Sequence, residues 1–307
     1  MAQMAKGMMA VLWVLLMAGP GKVWAQGALQ PYVLAYTAQG DLAAEAAKVK
    51  TKLAAAGFTV LGEYTPYPGA WVAGVTNDAL KQAAARDPRG AFAAVEHVAV
   101  TQVGGTLQVS YLNPQYMAAA YQLSSDDADV LAALQKALGA QQAFGTKDGR
   151  SAAQLRDYHY MLGMEYFKDV YRLGRHASYE DAVKTVEANL RKGVGGTALV
   201  YRLDIPGRQQ TLFGVSRANV PDPRANDRHI MADTVDQMFQ IKTTAYLPYD
   251  MLVDGKEVVA LHMRFRMAVW HPDLTMGTFG KLITSPGAIE ELLTQVAGGK
   301  KQSDSLY

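Results

Sequence analysis

Two kinds of apolar spacing alternate along this chain, and their order occurs twice. The first series opens with the short apolar strand Tyr32–Tyr36. Asp41 is placed to cap a helix whose apolar face is Leu42, Ala46, Val49, Leu53 and Ala56, and Gly57 stops it. Phe58–Tyr64, a turn at Pro66–Gly69, and Ala70–Val75 follow as two strands. The second series begins at Phe167–Leu173. Ser178 with Asp181 resembles a capping box ahead of a helix that buries Tyr179, Val183, Val186 and Leu190 and stops at Gly193. Strand Thr197–Leu203, a turn at Pro206-Gly207 and strand Gln210–Val215 complete it.

The parallel continues into two hairpins. Val95–Val103 and Thr106–Leu112 flank Gly104-Gly105, while Leu247–Val253 and Lys256–Trp270 flank Asp254-Gly255, a strong hairpin turn signal. Each hairpin is followed by a polar-Pro step, Asn113-Pro114 and His271-Pro272, which makes the second hairpin about 8 residues longer when these steps are aligned. Each series then closes on a helix, Asp126–Leu138 and Ser285–Val296. The expected fold class is α+β: two similar halves forming a pseudo-symmetric pair, each a mixed, mostly antiparallel sheet packed with helices. The expected boundaries are 26–139 and 166–297, with a linker and a helix over 140–165 and a disordered polar tail over 298–307.

The segment before the first strand changes where this fold is placed. Lys6, the apolar run Met8–Ala18, the helix-breaking Gly19-Pro20-Gly21 and the small-residue site Val23-Trp24-Ala25 read as a signal peptide, 1–25, cut before Gln26. The run is shorter than the roughly 20 residues of a spanning helix, so the expected location is the periplasm, with no transmembrane segment after cleavage. Cleavage removes Lys6 and Lys22 and no acid, leaving 30 − 2 = 28 basic residues against 28 acidic ones. A mature chain of zero net charge argues against nucleic acid and against simple docking on anionic lipid. With no cysteine, disulfides, thiol catalysis and thiolate metal sites are all excluded.

The run Ser178-Tyr179-Glu180-Asp181-Ala182-Val183, its helix, Gly193 and Leu199 resemble the opening of the domain-of-unknown-function 302 family. Thr211–Val215, Leu247-Pro248 and Asp254–Val258 are similar to its later landmarks, and Ala44–Val60 with Val98–Pro114 give a weaker first copy. The resemblance implies a compact α+β unit with a mixed sheet, often paired as a dimer, which a tandem copy forms within one chain. It implies no accepted activity. Some members carry a cysteine near the central strands, which this chain lacks.

The chain contains no Gly-rich phosphate loop, no His-Glu-x-x-His and no Gly-x-Ser-x-Gly. Gly193–Gly196 follows a helix instead of preceding one and reads as a helix stop. On a continuous strand, His262, Arg264, Arg266 and Trp270 share one face, a basic and aromatic stripe suited to an anion beside an apolar body. Met263, Phe265, Met267, Val269 and His271 share the other, a core-like face. A copper site from His262, Met263, Met267 and His271 is the alternative, thioether and imidazole being suitable ligands in an oxidising space. The long loop Asn219–His229 carries Asp222, Asp227 and His229, which would assist a hydrolytic site but have no evident nucleophile. The favoured expectation is therefore a non-enzymatic periplasmic binding or accessory protein. Its ligand is an anionic or amphipathic small molecule or a periplasmic protein partner, held between the halves, and no cofactor is identified.

Overall fold

In a computed structural model, residues 28–299 are described. The expected signal peptide, 1–25, and positions 300–307 of the expected tail lie outside them. The tail expectation fails at its start: the Gly298 and Gly299 N–H groups donate to Gln295 O and Thr294 O, closing the last helix.

The first half contains β1 (Tyr32–Gln39), α1 (Leu42–Ala55), β2 (Thr59–Tyr64), β3 (Ala70–Thr76), α2 (Asp78–Arg86), a short helical turn (Gly90–Ala93), β4 (Glu96–Val103), β5 (Thr106–Leu112), α3 (Pro114–Ala120) and α4 (Ala128–Leu138). Asp41 caps α1 as expected, its carboxylate accepting from Ala44 N–H at 2.8 Å. Gly104 and Gly105, both at positive φ, make the β4–β5 turn. The linker is more structured than its polarity suggests. β6 (Gln142–Phe144) joins the first sheet beside β1. The expected helix over 152–164 shrinks to α5 (Ala152–Arg156), because Tyr158 turns inward and Gly163 takes positive φ.

The second half contains β7 (Val170–Arg175), α6 (Tyr179–Arg191), β8 (Ala198–Asp204), β9 (Gln210–Ser216), α7 (Asp227–Ile230), a helical turn at Thr244–Tyr246, β10 (Tyr249–Asp254), β11 (Glu257–Leu261), α8 (Met263–Trp270), α9 (Met276–Lys281) and α10 (Ser285–Val296). The fold is α+β, with two antiparallel sheets in orders β2-β3-β4-β5-β1-β6 and β7-β11-β10-β9-β8. Read from β2 and from β8, the five shared strands occur in the same order. The shared detail is finer than strand order, since β2 bulges between Val60 and Gly62 and β8 between Leu199 and Tyr201.

One expected element is corrected. Lys256–Trp270 is not a single strand arm: β11 ends at Leu261 and the chain turns at once into α8. The counterpart of Asn113 is therefore His262, not His271. Both residues cap the helix after the hairpin, Asn113 accepting from Gln115 N–H at 3.1 Å and His262 Nδ1 from Arg264 N–H at 3.2 Å. α8 is almost wholly buried, so it shows no polar face to betray a helical period.

Two hydrophobic clusters follow, one outside the first sheet and one running from between the sheets to the helices on the second. α1 and α4 cover the outer face of the first sheet through Val49, Leu53, Leu134 and Leu138. α6 and α10 cover the second through Val186, Leu190, Ile289 and Leu293. The inner faces share one core, in which the halves touch reciprocally. β2 meets β8, the Gly90–Ala93 turn meets β9 and β10, and the Thr244–Tyr246 turn meets β3 and β4. Tyr121, at the end of α3, accepts at 2.8 Å from the indole N–H of Trp270, at the end of α8. Among the described residues no helix is long and apolar enough to cross a membrane.

Candidate functional site

The expected basic stripe does not form. Because Met263–Trp270 is a helix, the period-two face dissolves. His262 stays at the N-cap, its Nε2 3.3 Å from Glu165 Oε1 and its ring 4.2 Å from that of Tyr171. Burial lowers its pKa to about 4, against the pull of Glu165. Arg264 reaches the surface and pairs with Glu165. Arg266 is buried, donating to Tyr246 O at 2.5 Å and Pro248 O at 2.6 Å with its guanidinium against the Tyr246 and Tyr249 rings. Trp270 is buried beside Tyr32, Tyr116 and Tyr121.

The copper set is not gathered either. Met263 and Met267 are buried one turn apart. His271 lies nine residues beyond His262, about 13 Å along a helix axis. Its Nε2 stands 3.2 Å from Tyr32 Oη and 3.0 Å from Thr243 Oγ1, and burial lowers its pKa to about 3. Among the described residues no group of three or more His, Asp or Glu is arranged to hold a metal ion. In the long loop, Asp222 pairs with Arg224 at 2.8 Å and His229 is exposed. Asp227 is consumed inside the protein, 2.8 Å from Arg217 Nη2 and 3.1 Å from the Tyr64 hydroxyl that donates to it.

Two arrangements lie outside the sequence expectations. The first is a polar seam between the sheets, centred on Tyr201. Its hydroxyl donates to Asp250 and lies 2.8 Å from His97 Nε2. Gly74 of β3 and Gly214 of β9 leave room for its ring, since a Cβ at either would lie 2.5 or 2.4 Å from it. Burial holds His97 neutral, lowering its pKa to about 3, and raises that of Asp250 to about 6, with Arg266 and the Tyr201 hydroxyl opposing the rise. The register makes Gly62 the counterpart of Tyr201, and His97 the counterpart of Asp250.

The second is a crevice of about 520 Å³ where the linker meets the second half, lined by Arg150, Gln154, Asp157, Tyr158, Tyr160 and Pro272 among others. The Arg150 guanidinium lies 5.4 Å from the Tyr158 ring centroid. Its Nε is buried without a hydrogen-bond partner, and no described carboxylate is within ion-pairing distance. The Tyr158 ring is anchored by its hydroxyl, which donates to Ala268 O at 2.8 Å, and burial raises its pKa to about 12. Comparison with family models, curated proteins and solved structures finds no match. A depression of about 450 Å³ along α6 also contains cations, but Arg191 and Arg202 there both pair with Glu187, at 2.6 Å each. Lys184, which also lines that depression, is exposed, so Arg150 differs in presenting a half-buried guanidinium to its cavity without an ion-pair partner. The sequence signal for it is the aromatic run Tyr158-His159-Tyr160, eight residues after Arg150.

Proposed function

We propose that this chain is an exported, non-enzymatic binding or accessory protein that holds an anionic or amphipathic small molecule in the Arg150 crevice. We further propose that its halves arose by tandem duplication of a unit resembling the domain-of-unknown-function 302 family. The shared strand order, the matching bulges and the paired caps Asn113 and His262 support the duplication. The observation that carries the binding reading is the unpaired, half-buried Arg150 against an anchored aromatic ring. A guanidinium in such a site binds a carboxylate or similar oxyanion with two parallel hydrogen bonds. The close acid–base groups Tyr201, His97 and Asp250 sit in the packed seam, where they join the halves, and are better read as structural.

A thermal-shift screen of the mature protein tests this reading, using aliphatic and aromatic carboxylates with their neutral amides as controls. Carboxylates are expected to raise the melting temperature of the wild type but not of Arg150→Gln, and amides to leave both unchanged. No shift with any anion, together with no molecule co-purifying, contradicts the proposal.

A further inference from the structure

We infer that the crevice selects a linear monoanionic amphiphile, with its head at Arg150 and its chain running across Tyr160 towards α9. The inference rests on the binding reading above and adds the shape and charge of the ligand.

The head group follows from the charges around the crevice. Arg150 is one recessed cation, and Asp157 lines the same crevice. A single carboxylate answers the guanidinium, whereas a dianion or a broad anionic surface also meets the repulsion of Asp157. Lipid-surface recognition uses several lysines and arginines together, a pattern this crevice lacks.

The chain follows from where the molecule leaves apolar side chains in water. Tyr160 lines the crevice, its ring stacks on Phe279 of α9 at 5.6 Å and 9°, and its hydroxyl lies 3.4 Å from Met276 Sδ. Directly after Tyr160 come Met161, 48% exposed, and Leu162, 97% exposed; α9 opens with Met276, 62% exposed, and is followed by Ile283, 73% exposed. The remaining exposed large apolar side chain among the described residues, Met238, accepts from the Thr278 hydroxyl of α9 at 2.9 Å. Four of the five therefore belong to α9, its flank, or the segment that Tyr160 ties to it, and the fifth, Met238, touches α9 through Thr278. Single exposed apolar residues need no explanation, but such a gathering beside a charged crevice marks an amphipathic ligand. Flexible thioethers suit a chain without fixed shape.

Calorimetric titration of the mature protein with hexanoate, octanoate and decanoate, all below micelle formation, and with benzoate tests the inference. Affinity is expected to rise by roughly fourfold per added methylene. Arg150→Gln should weaken every carboxylate tenfold or more. Leu162→Asp with Met276→Asp, at exposed positions that should not affect folding, should flatten the chain-length series and spare benzoate. Arg150-dependent binding without a chain-length gain overturns the amphiphile inference and leaves the general binding reading standing. Absence of binding by any carboxylate overturns both. Binding to phosphatidylglycerol vesicles without binding of monomeric carboxylates overturns it in favour of a lipid surface.

Discussion

At position 62 the first half has no side chain, and at the corresponding position 201 the second half has a tyrosine. One large ring thus fills space that two equivalent rings would contest. A Cβ on Gly62 would stand 1.8 Å from Val200 O, so Gly62→Ala is expected to destabilise by about 3 kcal/mol in chemical denaturation, the upper end of the usual overpacking cost. Gly280, with no atom within 4 Å of a built Cβ, is the control; Gly280→Ala should be neutral or stabilise by about 0.5–1 kcal/mol. Tyr201→Phe removes the hydroxyl between His97 and Asp250 and is expected to cost about 1–3 kcal/mol. Glu96 presents the opposite case, because it is buried and neither of its oxygens has a hydrogen-bond partner. Burial, with Asp127 adding to it, pushes its pKa well above the usual range. A carboxyl whose pKa rises on folding stabilises when protonated, and that stability is lost as pH rises beyond the unfolded value. Glu96→Gln should therefore raise the melting temperature more at pH 8 than at pH 4.5, and an equal effect at both contradicts this account.

Among the elements, those with one wet face were legible and those buried all round were not. α1 and α6 kept their predicted caps and apolar faces because each shows water a polar side. α8 reads as a strand because Met263, Phe265, Met267 and Val269 alternate, and an apolar run of that length fits a strand as well as a buried helix. Arg266 adds to the ambiguity, because a cation ordinarily marks an open face and this one is buried. The crevice is illegible in the sequence for another reason: Arg150, Tyr158 and Tyr160 gain meaning only when the linker folds against Pro272 and α9, which local spacing does not encode. The paired caps give an element-scale prediction. His262→Asn should retain the stability of α8, as Asn113 does for α3, whereas His262→Ala should cost about 1 kcal/mol in chemical denaturation.

For the whole molecule, the seam makes stability depend on acid. His97 and His271 have pKa values lowered to about 3 in the folded protein. Each titrates near 6.5 when unfolded, so the stability from keeping them neutral is full above that value and is lost as pH falls towards 3. By pH 5 the loss is about 2 kcal/mol for each. Asp250, raised to about 6, works in the opposite sense, stabilising as it gains a proton, and softens the decline. Glu96 opposes it too, so the readout is a difference: between pH 7 and pH 5 the denaturant midpoint of the wild type should fall relative to that of His271→Asn. The same seam joins the halves into one body, while Arg150 stands in the linker crevice without an ion-pair partner. Native mass spectrometry of wild-type and Arg150→Gln protein isolated from the producing cells tests that central claim most directly. The account predicts a bound anionic molecule on the wild type and its absence from the variant. A ligand-free wild type, or a ligand retained equally by the variant, would contradict it.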